Sequence, residues 1–120
     1  MALLLLAEDD TEIRGTLQRL LEHVGHQVVA VADGSQAAIE LKSQKYDLMI
    51  TDLIMPNGEG LENIISARRD YPNLAIIAIS GGGANRAETY LELAQKLGAS
   101  VFKKPVAPRE LIGEIERLLN

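Results

Sequence analysis

The amino-acid sequence predicts an α/β protein with a doubly wound, five-stranded parallel sheet flanked by five helices. Two patterns support this prediction. Short apolar runs recur along the 120 residues, and strands that are buried on both faces of a parallel sheet are typically continuous apolar runs. Segments with a helical spacing of apolar residues separate these runs, so strand and helix alternate five times. The five predicted strands cover residues 3–7, 28–32, 48–51, 75–79 and 101–102.

The predicted helices have recognisable faces and ends. Ser35 is expected to cap the second helix, Pro72 to end the third, and Pro108 to open the fifth. The fourth helix is expected roughly over residues 85–97, after three consecutive glycines. The first and fifth helices each place their apolar residues on one face, which predicts packing against the sheet. These residues are Ile13, Leu17, Leu20, Leu21 and Val24 in the first helix, and Leu111, Ile112, Ile115, Leu118 and Leu119 in the fifth.

Length and composition limit the possible functions. A chain of this length is expected to form one domain over residues 1–120. Its net charge of −5 disfavours direct contact with nucleic acid or an anionic membrane. Cysteine is absent, so thiolate metal sites and disulfides are excluded. The apolar start is too short for a membrane span or signal peptide. A cytoplasmic protein is therefore expected.

Acidic residues follow two of the predicted strands. Glu8, Asp9 and Asp10 come after the first strand, and Asp52 comes after the third. The carboxyl ends of parallel strands lie at one edge of a sheet, where α/β proteins bind ligands. Carboxylates gathered there would repel each other unless a cation neutralised them, and hard oxygen ligands suit Mg²⁺. The alternative is that Asp10 only caps the first helix. Convergence with Asp52 favours a metal site.

The other two strand ends have the opposite chemistry. Ser80 offers a hydroxyl after the fourth strand, and Lys104 offers an ammonium after the fifth. Both groups suit anionic oxygens. Taken separately, Ser80 can simply start a glycine turn and Lys104 can be a solvated lysine. Their position at consecutive strand ends favours a binding role.

With these residues in place, the chain resembles the receiver domain of bacterial response regulators. The resemblance rests on four stretches at matching intervals, LLLLAEDDTEIR, YDLMITDLIMPNGEGLE, IIAISGGG and VFKKP. It runs from about residue 3 to the end of the chain. It implies a flavodoxin-like fold with the strand order 2-1-3-4-5 that is seen in this family.

The resemblance also implies roles for individual residues. Asp52 would be the phosphoacceptor, with Ser80 and Lys104 binding the phosphoryl group. Mg²⁺, for which Mn²⁺ can substitute, would contact Asp9, Asp52 and the backbone carbonyl of Ile54. Glu8 would act on the metal through a water molecule. Met55, Pro56 and the glycines of residues 58–60 would shape the loop that carries the carbonyl, and Gly81 would leave room for the phosphoryl donor.

The implied protein is a signalling domain that catalyses only its own phosphorylation and dephosphorylation. Its partners would be a histidine kinase or phosphotransfer protein and a downstream protein, bound through the fourth helix, fifth strand and fifth helix. A monomer or weak dimer is expected. Three alternatives stay open: a pseudo-receiver that binds partners without phosphotransfer, a metal-dependent phosphatase for which no substrate-binding segment is evident, and a domain of a hybrid kinase or larger regulator.

One departure concerns the end of the fifth strand. Relatives commonly carry Tyr or Phe three residues before the equivalent of Lys104, where the ring acts as a rotamer switch. Val101 occupies that position here, with Phe102 beside it. Apolar strand residues are usually part of the core, so an aromatic switch is not assumed.

A second departure predicts a long-lived phosphoryl group. Relatives can position the hydrolytic water with a polar side chain two residues after the phosphoacceptor or two after the hydroxyl residue, but Ile54 and Gly82 occupy these positions. We therefore expect slow self-dephosphorylation, and Ile54→Asn is expected to shorten the half-life of the phosphorylated protein. The decay of phosphorylated wild type and variant, followed by intact mass after removal of the donor, checks this. An unchanged half-life would contradict it.

Overall fold

Parallel strands form one five-stranded sheet in the order β2-β1-β3-β4-β5. The computed structural model describes residues 2–53, 60–81 and 84–120. The strands are β1 (Leu3–Ala7), β2 (Gln27–Val31), β3 (Leu48–Asp52), β4 (Ala75–Ser80) and β5 (Ser100–Lys103). The helices are α1 (Thr11–His23), α2 (Gly34–Ser43), α3 (Gly60–Asp70), α4 (Ala84–Lys96) and α5 (Pro108–Leu119). The predicted doubly wound fold and its 2-1-3-4-5 order are confirmed.

The helix starts follow from local hydrogen bonding. Asp10 caps α1 by accepting a hydrogen bond from the Ile13 amide at 3.0 Å. The prediction that Ser35 caps α2 is wrong, because Asp33 is the cap and accepts from the Gln36 amide at 2.9 Å. Asp33 has extended backbone dihedrals just ahead of the helix, whereas Ser35 already lies inside the first turn. Pro108 opens α5, as predicted.

The sheet separates two hydrophobic clusters. One cluster packs α2, α3 and α4 against one face, and the other packs α1 and α5 against the opposite face. Successive side chains of β4 face opposite sides of the sheet, so Ile76 belongs to the first cluster and Ile77 to the second. Because both faces are buried, the strands are continuous apolar runs in the sequence. Val24 was predicted to lie on the buried face of α1, but it is 42% exposed because the helix has already ended there.

The same alternation separates the two residues near the end of β5. Val101 packs against the cluster beneath α2, α3 and α4, whereas Phe102 packs against the cluster beneath α1 and α5. Both are only partly buried. The Phe102 ring therefore lies on the face of the sheet opposite α4.

Arg68 connects α3 to the end of α4. Its guanidinium donates to the carbonyl of Leu97 at 2.8 Å, and also to the carbonyls of Pro72 at 2.8 Å and Leu74 at 2.9 Å. A cation at the carboxyl end of a helix interacts favourably with the helix dipole and satisfies carbonyls that lack partners within the helix. Gly98 completes this end with a φ of +86°, which favours glycine.

No helix among the described residues has the length and apolar character required to cross a membrane.

Glu114 joins α5 to β5. The Ser100 hydroxyl donates to its carboxylate, and Arg117 donates to it at 2.8 Å through Nε. The bonds from Arg117 and Ser100 lower the pKa of Glu114 to about 2. The carboxylate form is therefore the one that links helix to strand.

We expect Glu114→Gln to lower the free energy of unfolding by about 1 kcal/mol near neutral pH, because charged hydrogen bonds are lost. A carboxyl group whose pKa is depressed by folding stabilises the protein above its unfolded pKa of about 4.3, and that contribution is lost as the pH falls toward the folded value. The gap between wild type and variant should therefore shrink at about pH 3. Urea unfolding of wild type and Glu114→Gln, near neutral pH and at about pH 3, measures this difference in stability. Glu116→Gln, at an exposed position of the same helix, is the control; an equal gap at both pH values would contradict the assignment.

Candidate phosphoacceptor and metal site

The register of the sheet brings the strand ends together. Ala7 pairs with Thr51, so Glu8 and Asp52 leave β1 and β3 side by side. Asp52 pairs with Ile79, which puts Ser80 one residue further along the neighbouring strand. Beyond it, the Lys104 amide donates to the Ser80 carbonyl at 2.8 Å. Parallel pairing thus places residues from four strand ends along one edge.

Three carboxylates meet at this edge. Glu8, Asp9 and Asp52 each offer an oxygen atom, and these oxygens all lie within 4.8 Å of one another. Glu8 and Asp52 are buried, whereas Asp9 is exposed to solvent. Ser80 is also buried, at the end of the adjacent strand. Asp10 remains outside this group as the cap of α1, so the capping role and the acidic cluster belong to different residues of the same turn.

Lys104 forms ion pairs with two of the three acids. Its Nζ lies 2.9 Å from Oε1 of Glu8 and 2.8 Å from Oδ2 of Asp52. The side chains of Glu8 and Asp52 are only 2% and 7% exposed, so water screens these pairs weakly. The sequence led us to expect that Lys104 faces anionic oxygens. Its contact with Glu8 was not predicted.

Burial and these ion pairs shift two pKa values. Burial raises the pKa of Glu8 to about 7, even though hydrogen bonds from Lys104 and from the Asp10 amide favour its ionised form. Burial alone would lower the pKa of Lys104, but its bonds to Asp52 and Glu8 outweigh that effect and raise it. When every group is ionised, three carboxylates face one ammonium, and the edge retains negative charge.

This donor set fits a hard divalent cation. Mg²⁺ prefers carboxylate and carbonyl oxygens, keeps several of its waters, and often takes phosphate as a further ligand. Three carboxylate oxygens within 4.8 Å of one another, one of them on an exposed residue, meet these requirements. The excess negative charge on this edge also favours a cation.

Two glycines permit close approaches, one to Asp52 and one to Lys104. A Cβ atom on Gly60 would overlap the backbone carbonyl of Asp52, so only glycine lets α3 begin directly against the end of β3. A Cβ atom on Gly81 would lie 3.3 Å from Cδ of Lys104, so a side chain there would crowd the lysine. Three predicted features lie outside the described residues: the Ile54 carbonyl, the loop around Met55 and Pro56, and Gly82.

One residue of the site was not predicted from the sequence. Arg14, on α1, donates from Nη1 to the backbone carbonyl of Glu8 at 2.8 Å. The only signal for it was an arginine one helical turn beyond the acidic run, and exposed helices commonly carry arginine. The hydrogen bond depends on how α1 leaves β1, which the sequence pattern does not specify.

Comparisons with known proteins find similar sequences and similar folds. The family model described as the response regulator receiver domain matches residues 4–116. The response regulator receiver protein CpdR of Brucella abortus is 34% identical over 119 residues, which cover 99% of this chain and 98% of that protein. Among solved structures, a CheY-like receiver domain protein from Methanospirillum hungatei superposes with a TM-score of 0.89 at 25% identity, covering 99% of this chain and 94% of that one.

Other relatives are much longer than this chain. The DNA-binding transcriptional regulator NtrC of Azospirillum brasilense is 33% identical over 119 residues, which make up 99% of this chain but 24% of that protein. Relatives of this chain therefore include regulators named for binding DNA. The expectation of no contact with nucleic acid, which rested on net charge, is not supported.

We expect Lys104→Met to destabilise the metal-free protein at neutral pH by about 3 kcal/mol, because removing one partner leaves buried carboxylates uncompensated. Mg²⁺ should restore part of the loss by supplying a replacement cation. Urea unfolding in EDTA and in excess Mg²⁺ measures both effects. Lys45→Met, at an exposed position between α2 and β3, is the control. Equal stability of Lys104→Met and wild type in EDTA would show that the ion pairs contribute nothing.

Proposed function

The chain belongs to the response regulator receiver domain family, and from this membership we propose that it transmits a signal by accepting a phosphoryl group on Asp52. The donor would be a phosphohistidine on a partner histidine kinase or phosphotransfer protein. The observation that carries the proposal is the convergence of Asp52 with two further acids and the Lys104 ammonium at one edge of the sheet. Phosphoryl transfer needs such charged groups in fixed positions.

In the proposed reaction, a carboxylate oxygen of Asp52 attacks the phosphorus atom of the phosphohistidine. A P–O bond forms as the P–N bond breaks, and the electron pair of the broken bond returns to the imidazole nitrogen, which takes up a proton. The product is an acyl phosphate on Asp52. Most of the catalytic effect in such reactions comes from positioning and from stabilising charge on the phosphoryl oxygens.

The metal would be held by the acidic cluster. Asp9 and Asp52 would bind Mg²⁺ directly and Glu8 would act through a water molecule, with the Ile54 carbonyl as a further ligand and Mn²⁺ as a possible substitute. The distances support an outer role for Glu8, because its two carboxylate oxygens already accept from Lys104 at 2.9 Å and from the Asp10 amide at 3.1 Å. Mg²⁺ supplies neutralisation of the charge on the transferring phosphoryl group.

Lys104 and Ser80 would bind the phosphoryl group after transfer. A phosphoryl group brings close to two negative charges and three acceptor oxygens. Lys104 already lies 2.8 Å from the Asp52 carboxylate, so its ammonium can transfer from the carboxylate to a phosphoryl oxygen with a small movement. The Ser80 hydroxyl, at the end of the neighbouring strand, is a suitable second donor.

The proposed readout surface consists of α4, β5 and α5. Lys104 directly follows β5, so a change in its ion pairs acts on the end of that strand. From β5, the Ser100 hydroxyl bonds to Glu114 on α5. These contacts support a route by which phosphorylation shifts the population of two arrangements of this surface, which a downstream protein distinguishes.

The proposal treats residues 1–120 as one receiver domain. It applies equally to a separate protein and to a domain of a longer regulator, since the relatives include both cases. A cytoplasmic location belongs to the same proposal.

The test is intact mass after incubation with phosphoramidate, a small donor with the P–N bond of phosphohistidine. A gain of one phosphoryl group is expected in Mg²⁺, with none in EDTA and none in Asp52→Asn. Asp33→Asn is the matched control, because asparagine caps a helix as well as aspartate does and the same acid-to-amide change is made away from the site. No gain under any condition would favour a pseudo-receiver that only binds partners.

A further inference from the structure

Arg14 approaches the acidic turn from α1 without contacting any of its carboxylates. Its Nη1 lies 2.8 Å from the carbonyl oxygen of Glu8 and 3.5 Å from that of Asp9. The side chain is partly buried, one turn into the helix that Asp10 caps. We propose that Arg14 is a positioning residue for Mg²⁺ binding, holding the Glu8–Asp9 backbone so that both carboxylates face Asp52. This inference rests on the proposed function.

Besides its ion pair with Lys104, Glu8 is held at three points. Its amide donates to the Val31 carbonyl at 3.1 Å, its carboxylate accepts from the Asp10 amide at 3.1 Å, and its carbonyl accepts from Arg14. The first bond ties the turn to β2 and the second lies within the turn. The guanidinium adds a charged, planar donor from α1, which can contact two consecutive carbonyls. Asp9 is exposed, so the direction of its carboxylate depends on the backbone that Arg14 contacts.

Arg14 and Lys104 are two cations with different relations to the same cluster. Lys104 is ion-paired with Oε1 of Glu8 and Oδ2 of Asp52, on two of the three acids of the cluster. A metal held by Asp52 would therefore share that carboxylate with the ammonium. Arg14 occupies only carbonyls of the turn, so its bonds can persist when the metal binds. Lys104 compensates charge in the metal-free protein, and Arg14 maintains the shape of the site in both states.

The predicted effect of losing Arg14 on Mg²⁺ affinity is opposite in sign to the effect expected from charge alone. Removing a cation from the neighbourhood of an acidic site should strengthen the binding of another cation, because a repulsive charge is lost. Removing a group that orients the ligands of a metal weakens binding, typically by 10- to 100-fold. Replacing Arg14 would have both effects on Mg²⁺ affinity. We expect the loss of orientation to exceed the relief of repulsion.

The experiment is calorimetric titration of the whole chain with Mg²⁺, using wild type, Arg14→Met and Arg14→Lys. Mg²⁺ should bind Arg14→Met about tenfold more weakly than wild type. Arg14→Lys should bind with intermediate affinity, because it keeps the charge but loses the planar fork. Arg19→Met removes the same charge from an exposed position on α1 and should bind Mg²⁺ as tightly as wild type or slightly more tightly.

Affinity unchanged or tighter in Arg14→Met would overturn the proposal. Metal-free thermal unfolding of each variant separates a loss of stability from a loss of metal affinity. Should Arg14→Met not fold, Arg14→Lys decides the question, and wild-type affinity in that variant would overturn the proposal.

The same titration distinguishes this inference from the proposed function. If wild type binds no Mg²⁺, both fail together. If wild type binds Mg²⁺ and is phosphorylated while Arg14→Met binds equally tightly, only the role of Arg14 fails. If Arg14→Met loses affinity but wild type gains no phosphoryl group, Arg14 positions a metal site whose chemistry is not phosphoryl transfer.

Discussion

The acidic edge of the sheet depends on the ion pairs that Lys104 makes with Glu8 and Asp52. Two carboxylates buried side by side are unfavourable, because each is desolvated and each repels the other. The Lys104 ammonium lies within 3 Å of both and neutralises part of this charge. It also links the end of β5 to the ends of β1 and β3. The same contacts therefore set both the charge balance of the site and the packing of the strand ends. The negative charge that remains makes the same edge suitable for a divalent cation and for a phosphoryl group that arrives with one.

The rest of the fold keeps these groups in place. Hydrophobic clusters on both faces fix the register of the central strands, and the register determines which side chains meet at the carboxyl edge. Gly60 lets α3 begin against the carbonyl of Asp52. Arg14 and Asp10 fasten the turn after β1. The strand ends thus carry Asp52 and Ser80, whereas the turns after β1 and β5 carry Glu8, Asp9 and Lys104.

Under the proposed function, a phosphoryl group added at the acidic edge would also alter the surface formed by α4, β5 and α5. Lys104 is continuous with β5, and Ser100 at the start of that strand bonds to Glu114 on α5. On the other side, Arg68 secures the carboxyl end of α4 through the Leu97 carbonyl. One end of α4 is thereby fixed to α3. Under the proposed function, phosphorylation would act on this surface by changing the ion pairs of Lys104 at the end of β5.

Local patterns in the sequence were enough to predict the alternation of strands and helices and the acidic, hydroxyl and ammonium groups at the strand ends. Those features follow from local patterns: apolar runs, helical periodicity, and the rule that parallel strands end at one edge. The sequence does not specify that Asp33 and not Ser35 caps α2, that Val24 lies outside the core, or that Phe102 packs on the face opposite α4; the folded chain shows these features. The folded chain also shows that Lys104 contacts Glu8 as well as Asp52, and that Arg14 reaches the Glu8 carbonyl. These contacts join groups on separate elements whose relative position is set by packing, and no local pattern of residues specifies such distances.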